Sequence, residues 1–264
     1  MTTTSTLPSL DPAIVLARSL CHRLAALALS DPRAGGWSEL SDPETRAIVA
    51  QAAALLREED QAVARPLALG EHPLADLDPA PLFARLPSTE AQLNALYEQN
   101  FGLLSGSKCP PYETEYVPSK FTFQRSHMLA DVAGFYGAFG LQTSTSTPER
   151  PDHIVLELDY MAQLIALEMA ARENADPAAV EQADVCLDAQ DRFLREHMVW
   201  WMPAFCTLLA RQDPDGYYAA VAAFVAALMA AERALFSIEA PHLAPEPSPL
   251  DPPDACSGCE LAAS

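Results

Sequence analysis

The residues in this chain that could do chemistry are a scatter of histidines and cysteines and two short acidic stretches. His22, His72, His127, His153, His197 and His242 show no pair at helical i, i+4 spacing, so no helix-borne metal pair is expected. Gly-rich phosphate loops, a G-x-S-x-G elbow and an H-E-x-x-H motif are missing, and catalysis is not expected. Cys256-Ser-Gly-Cys259 has the spacing of half a metal knuckle or of a redox pair. A closed zinc site needs four ligands, and the neighbourhood adds only His242 and carboxylates. The expectation is therefore no metal and no cofactor, with Cys256 and Cys259 the weak candidates and a reduced tail the plainer reading.

Two stretches point to binding. In Cys109-Pro-Pro-Tyr-Glu-Thr-Glu-Tyr116 the prolines stiffen the backbone, Tyr112 and Tyr116 offer amphipathic surface, and Glu113 and Glu115 add negative charge. Such a loop suits an extended peptide with a cationic end, because the rings lose little entropy on binding. It would serve equally as a connection whose tyrosines seal a core. Downstream, Glu149, Pro151, Asp152 and His153 lie beside a polar segment, at the start of a helix that Pro151 is expected to help initiate. Asp152 there either complements the helix dipole or faces a cleft between two halves.

These residues must be positioned by helices. Long stretches read A-A-x-L, Gly is limited to 10 residues, and alternating β-branched runs are almost absent, which predicts an all-α fold. Asp11-Pro12, Asp42-Pro43 and Asp176-Pro177 supply caps and N1 prolines, for helices reaching about Ser30 and Ala64 in the first two cases. Ser88 or Thr89 opens a helix carrying Leu93, Leu96, Tyr97 and Phe101, and residues 121–140 read as another, with Gly134 and Gly137 marking close packing or a break. After the linker 141–147, Ile154, Leu158, Met161 and Ile165 share one core-facing side. Pro203 is expected to interrupt a helix, and the last one, from about Tyr217 to Ser237, is apolar nearly all round and so central. This divides the chain into an N-terminal helical domain (1–147), a hinge with a C-terminal helical domain (148–240), and a tail (241–264) with six prolines and the CxxC.

Composition narrows the partners. Thirty-six acidic residues against 16 basic ones give a formal charge of −20, which disfavours nucleic acid and anionic lipid and favours a basic ligand. No positive charge precedes Arg18, and Pro8, Asp11 and Pro12 break the early apolar stretch, unlike a secretory signal. The apolar run from Tyr217 to Ala231 is short for a bilayer span, so a cytoplasmic location without stable membrane insertion is expected.

The loop C-P-P-Y-E-T-E-Y, the run A-D-V-A-G-F-Y-G-A-F-G-L (130–141), P-E-R-P-D-H-I-V-L-E-L-D-Y-M (148–161) and F-L-R-E-H-M-V-W-W-M-P-A-F (193–205) together resemble the TorD, DmsD and NarJ family of redox-enzyme maturation chaperones. The resemblance covers roughly residues 93–205. It implies a TorD-like bundle of two helical sub-domains joined by a hinge. It also implies a non-catalytic protein that binds the twin-arginine signal peptide and apo form of a molybdopterin oxidoreductase of the dimethyl-sulfoxide-reductase type, delaying export until the cofactor is inserted. By motif, Asp152 and His153 match the hinge pair linked to leader recognition, with Glu149, Pro151 and Glu157 of the E-L-x-x-M run beside them. Tyr112, Glu113 and Tyr116 match the family loop. The competing readings are a generic helical adaptor and a metal- or redox-handling protein using the C-terminal CxxC.

Overall fold

The computed structural model describes residues 10–59, 66–102, 108–117, 122–143, 149–174 and 176–240. The tail, with Cys256 and Cys259, lies outside them, as do most of the predicted linker and the end of the helix expected to reach Ala64. Among the described residues there are ten α-helices, several short 3₁₀ turns and no strand. The helices are α1 (Pro12–Leu29), α2 (Gly36–Ser41), α3 (Pro43–Glu59), α4 (Ala80–Arg85), α5 (Glu90–Phe101), α6 (Thr122–Ala138), α7 (Ile154–Arg172), α8 (Pro177–Phe193), α9 (Met202–Gln212) and α10 (Tyr217–Leu235).

The caps act as their chemistry dictates. The carboxylate of Asp11 accepts from Ala13 N, that of Asp176 accepts from Ala178 N, and the Thr89 hydroxyl accepts from Gln92 N. Gly140, at φ +71°, takes the left-handed conformation just past α6. Gly134 and Gly137 mark neither tight packing nor a break: α6 runs through both, and a Cβ at either would meet open space. Pro203 does not interrupt a helix either. It occupies the first turn of α9, where its missing N–H costs nothing; a π-helical turn at Leu194–Met198 and a short turn separate α8 from α9 ahead of it.

The core forms where α1 packs along α7, α7 against α8, and α10 against α9. Ile154, Leu158, Met161 and Ile165 of α7 are all buried, as are Phe224, Val225 and Leu228 of α10. α1 and α10 are long and apolar enough to cross a bilayer, α10 at 19 residues being longer than its apolar run suggested. Yet 67% and 78% of their apolar windows are buried inside the fold, as expected of core helices.

One buried polar chain crosses this core. Arg18 of α1 makes a two-pronged pair with Glu232 of α10 (2.8 and 2.5 Å) and donates to Gln190 of α8 (3.1 Å). Gln190 donates to Glu168 of α7 (2.8 Å), which also accepts from Arg172 (2.8 Å). A second pair, Arg233 with Glu71, ties the 66–72 segment to α10, with Glu71 also accepting from Ala68 N. Gly70, at φ +85°, lies so close to Pro203 that a Cβ would meet its carbonyl oxygen at 2.6 Å.

Candidate functional site

The two stretches singled out in the sequence, 33 residues apart at their nearest ends, are folded into one unit. Tyr112 and His153 form an isolated antiparallel bridge, built from Glu113 N donating to Asp152 O and Ile154 N donating to Pro111 O (2.9 Å each). Thr114 adds its N–H and hydroxyl to the Asp152 carboxylate, at 3.1 and 2.8 Å. From the other side Tyr136 of α6 donates to Pro151 O at 2.8 Å. The C-P-P-Y loop thus lies against the start of α7, with Pro111 O paired to Ile154 N and the following Glu113 N to Asp152 O.

Each predicted residue now has a place. Asp152 is fully buried and lies before the cap of α7, so it is not a first-turn carboxylate; the cap is His153, whose Nδ1 accepts from Val155 N at 3.2 Å. Pro151 sits in the turn ahead of that cap rather than at the first helical position, and so does not initiate the helix. Burial lowers the His153 pKa against the opposing pull of Glu149 and Asp152, which matches a neutral ring accepting at Nδ1. Tyr116 is sealed in the core against Trp201 and contributes no binding surface. Tyr112 is half-buried; burial and then Glu149 push its phenol up to about 12, and the protonated hydroxyl donates to Glu149 Oε1 at 3.1 Å. Glu149 itself is exposed.

Arg150, not singled out in the sequence, binds at the centre of this unit. Its guanidinium makes two bonds to Asp152 (3.0 and 2.8 Å), donates to Thr114 Oγ1 (2.6 Å), lies 3.4 Å from Glu115, and stacks 4.3 Å from the Tyr112 ring centroid. This is a complete guanidinium cradle: a bidentate carboxylate, a second acid and an aromatic face.

Beneath it lies a buried acidic pair. Glu113 accepts from Trp200 Nε1 at 2.9 Å and faces His197 Nδ1 at 3.1 Å, while Glu157 accepts from Trp201 Nε1 at 3.2 Å and leaves its Oε1 with no hydrogen-bond partner. Burial raises the Glu113 pKa, opposed by His197 and Trp200. Burial, reinforced by Glu113 and Asp152, holds that of Glu157 well above the carboxylate range. His197, Trp200 and Trp201 were not foreseen as site residues, although they lie in the aromatic run 193–205. A His beside paired Trp at a helix break was the available signal. Nearby, Tyr136, Leu141, Leu156 and Tyr160 line an open, mostly apolar cavity of about 160 Å³.

Comparison with known proteins decides the family. Residues 78–207 match the family described as nitrate reductase delta subunit. The selenate reductase assembly chaperone protein of Thauera selenatis is 32% identical over 155 residues, covering 58% of this chain and 73% of the relative. The chain belongs to the TorD/NarJ family of assembly chaperones. The chlorate reductase assembly chaperone protein of Ideonella dechloratans is 32% identical over 44% of this chain and 54% of the relative. Chaperone protein TorD of Vibrio cholerae is 29% identical over 37% and 41%. The match to these latter two thus spans only about half of their length. The family consists of assembly chaperones rather than catalysts, and this chain is a maturation chaperone within it.

Proposed function

We propose that the chain binds the twin-arginine signal peptide and the apo form of a molybdopterin oxidoreductase of the dimethyl-sulfoxide-reductase type in the cytoplasm, aiding cofactor insertion and delaying export. The two named reductase-assembly relatives support a reductase client, and the excess of 20 negative charges supports a cationic leader. The observation that carries the reading is the fused unit of residues 111–116 and 149–153. Its acids and aromatic face already hold the guanidinium of Arg150, and a leader arginine arriving at its rim meets exposed Glu149 beside Tyr112. On this reading Asp152 and His153 are positioning residues that shape the loop, while Glu149 and Tyr112 touch the peptide. The apolar part of the leader would lie along the cavity at Tyr136, Leu156 and Tyr160. The division at residues 147 and 148 belongs to the same proposal; the Arg18–Glu232 pair ties α1 to α10 across it, so movement there is limited to segments outside that brace.

The magnitudes assign the roles. An exposed ion pair contributes at most about 1 kcal/mol, whereas apolar burial returns about 25 cal/mol per Å², so the acids set register and on-rate and the apolar stretch supplies most of the affinity. Titration of a labelled leader peptide against the full chain at rising salt tests this. Affinity should fall only modestly with salt and should drop in Tyr112→Phe/Glu149→Gln, which keeps the ring stacked on Arg150, with the unfolding midpoint unchanged. Collapse with salt, or indifference to the double substitution, would reject it. The burial of Asp152 and Glu157 favours a second reading, an adaptor in which this segment is purely architectural. In that case only substitutions that lower stability would lower binding.

A further inference from the structure

Next to the leader site, three ligand-type side chains from two elements converge at the surface. His197 Nε2, a carboxylate oxygen of Asp131 on α6 and one of Glu196 all lie within 4.8 Å of one another. Glu196 and His197 are neighbours in the π-helical turn at 194–198, an irregularity that recurs at functional sites.

The histidine separates this group from an ordinary acidic patch. Its side chain is 2% exposed, and its ring is held edge-on by Phe135 at 5.3 Å and at a tilt by Phe193 at 5.1 Å. Nδ1 is fixed by Glu113, which Trp200 holds in turn. Nε2 makes no hydrogen bond, although Asp131 Oδ2 stands 3.4 Å away. With Nδ1 turned to Glu113, Nε2 is the ring nitrogen left to face Asp131 and Glu196. A carboxylate holding the far nitrogen of an imidazole is the outer-shell arrangement that orients metal-binding histidines. The 3.4 Å separation is also what two ligands about 2.0–2.1 Å from a shared tetrahedral ion present. Against it stands one competitor, Arg192, whose Nε lies 3.7 Å from Glu196 in an exposed pair worth little.

We propose that Asp131, Glu196 and His197 bind a divalent transition-metal cation of the zinc type, with water completing the coordination. Imidazole with two carboxylates selects such an ion over the hard, all-oxygen cations magnesium and calcium. The ion ties α6 to the turn before α9, and through Glu113 its occupancy is felt by the loop at residues 112–116.

The test uses the full chain carrying Cys256→Ser and Cys259→Ser, so that tail thiols do not compete, and Zn²⁺ alone as the probe. Calorimetry should give one equivalent bound, with a rise in the thermal midpoint. In the added Asp131→Asn/Glu196→Gln background, both changes lying at the exposed rim, affinity should fall more than about 100-fold, beyond the 10–100-fold that loss of an outer-shell partner causes. The metal-free midpoint of that variant should stay near the parent's. No binding at millimolar Zn²⁺, or binding that the two rim substitutions leave intact, overturns the proposal.

Discussion

Two buried polar clusters in this molecule use the same side chains to opposite ends. In the chain from Arg18 to Arg172, both oxygens of Glu232 and both of Glu168 are occupied. In the cluster under the proposed leader site, Glu157 Oε1 and His197 Nε2 are left without hydrogen bonds. The pKa directions follow. Burial alone would push Glu232 up, but the charge and hydrogen bonds of Arg18 together hold it below the usual range, whereas Glu157 has no cation and goes up. One cluster joins α1, α7, α8 and α10 permanently; the other has unused valence beside the surface. Partners, not burial, distinguish a brace from a site. The brace has one loose end, since His22 beside it leaves Nε2 unpaired and is kept neutral by burial.

Breaking the brace should have the largest effect. Glu232→Gln leaves Arg18 buried without its counter-charge and should cost about 3–5 kcal/mol in denaturant unfolding, while replacing both by Met should recover most of the loss. Asp152→Ala, which strips partners from Thr114 and Arg150, should cost about 2–3 kcal/mol and loosen the loop, read as faster amide exchange at Glu113 and Thr114. Glu157→Gln should do the reverse and stabilise by about 1 kcal/mol at pH 7, because no carboxylate need be kept neutral. The sign of its pH dependence is diagnostic. A carboxyl raised on folding contributes most below its unfolded pKa and loses ground as pH rises, so the Gln advantage should shrink toward pH 4. Glu232, held low, contributes above its unfolded pKa, and that contribution fades as pH falls. Glu149→Gln should be smallest, leaving the unfolding midpoint in place and weakening the leader by about 3–5-fold.

Much of the fold was legible because its signals are local. Asp11, Thr89 and Asp176 cap helices through bonds two or three residues long, and the period of Ile154, Leu158, Met161 and Ile165 belongs to one helix. The site was legible only in parts. The loop and the segment at 149–153 could each be picked out, but their bridge spans the whole of α6, and no spacing rule reports it. Arg150 carries no signal of its own in the sequence; only the fold brings Thr114 and Asp152 onto it. The same distance hid the pairing of Glu113 with His197, 84 residues later, and the π-turn that makes it has no sequence signature of the strength of a proline or a cap.

Hydrogen–deuterium exchange on the full chain, with and without a twin-arginine leader peptide, tests the central claim most directly. Protection should concentrate at residues 112–116 and 149–156 and along Tyr136 and Tyr160, and should weaken when the two arginines of the peptide are replaced by glutamine. Protection confined to other helices, or none at saturating peptide, would contradict the assignment of this unit as the leader site.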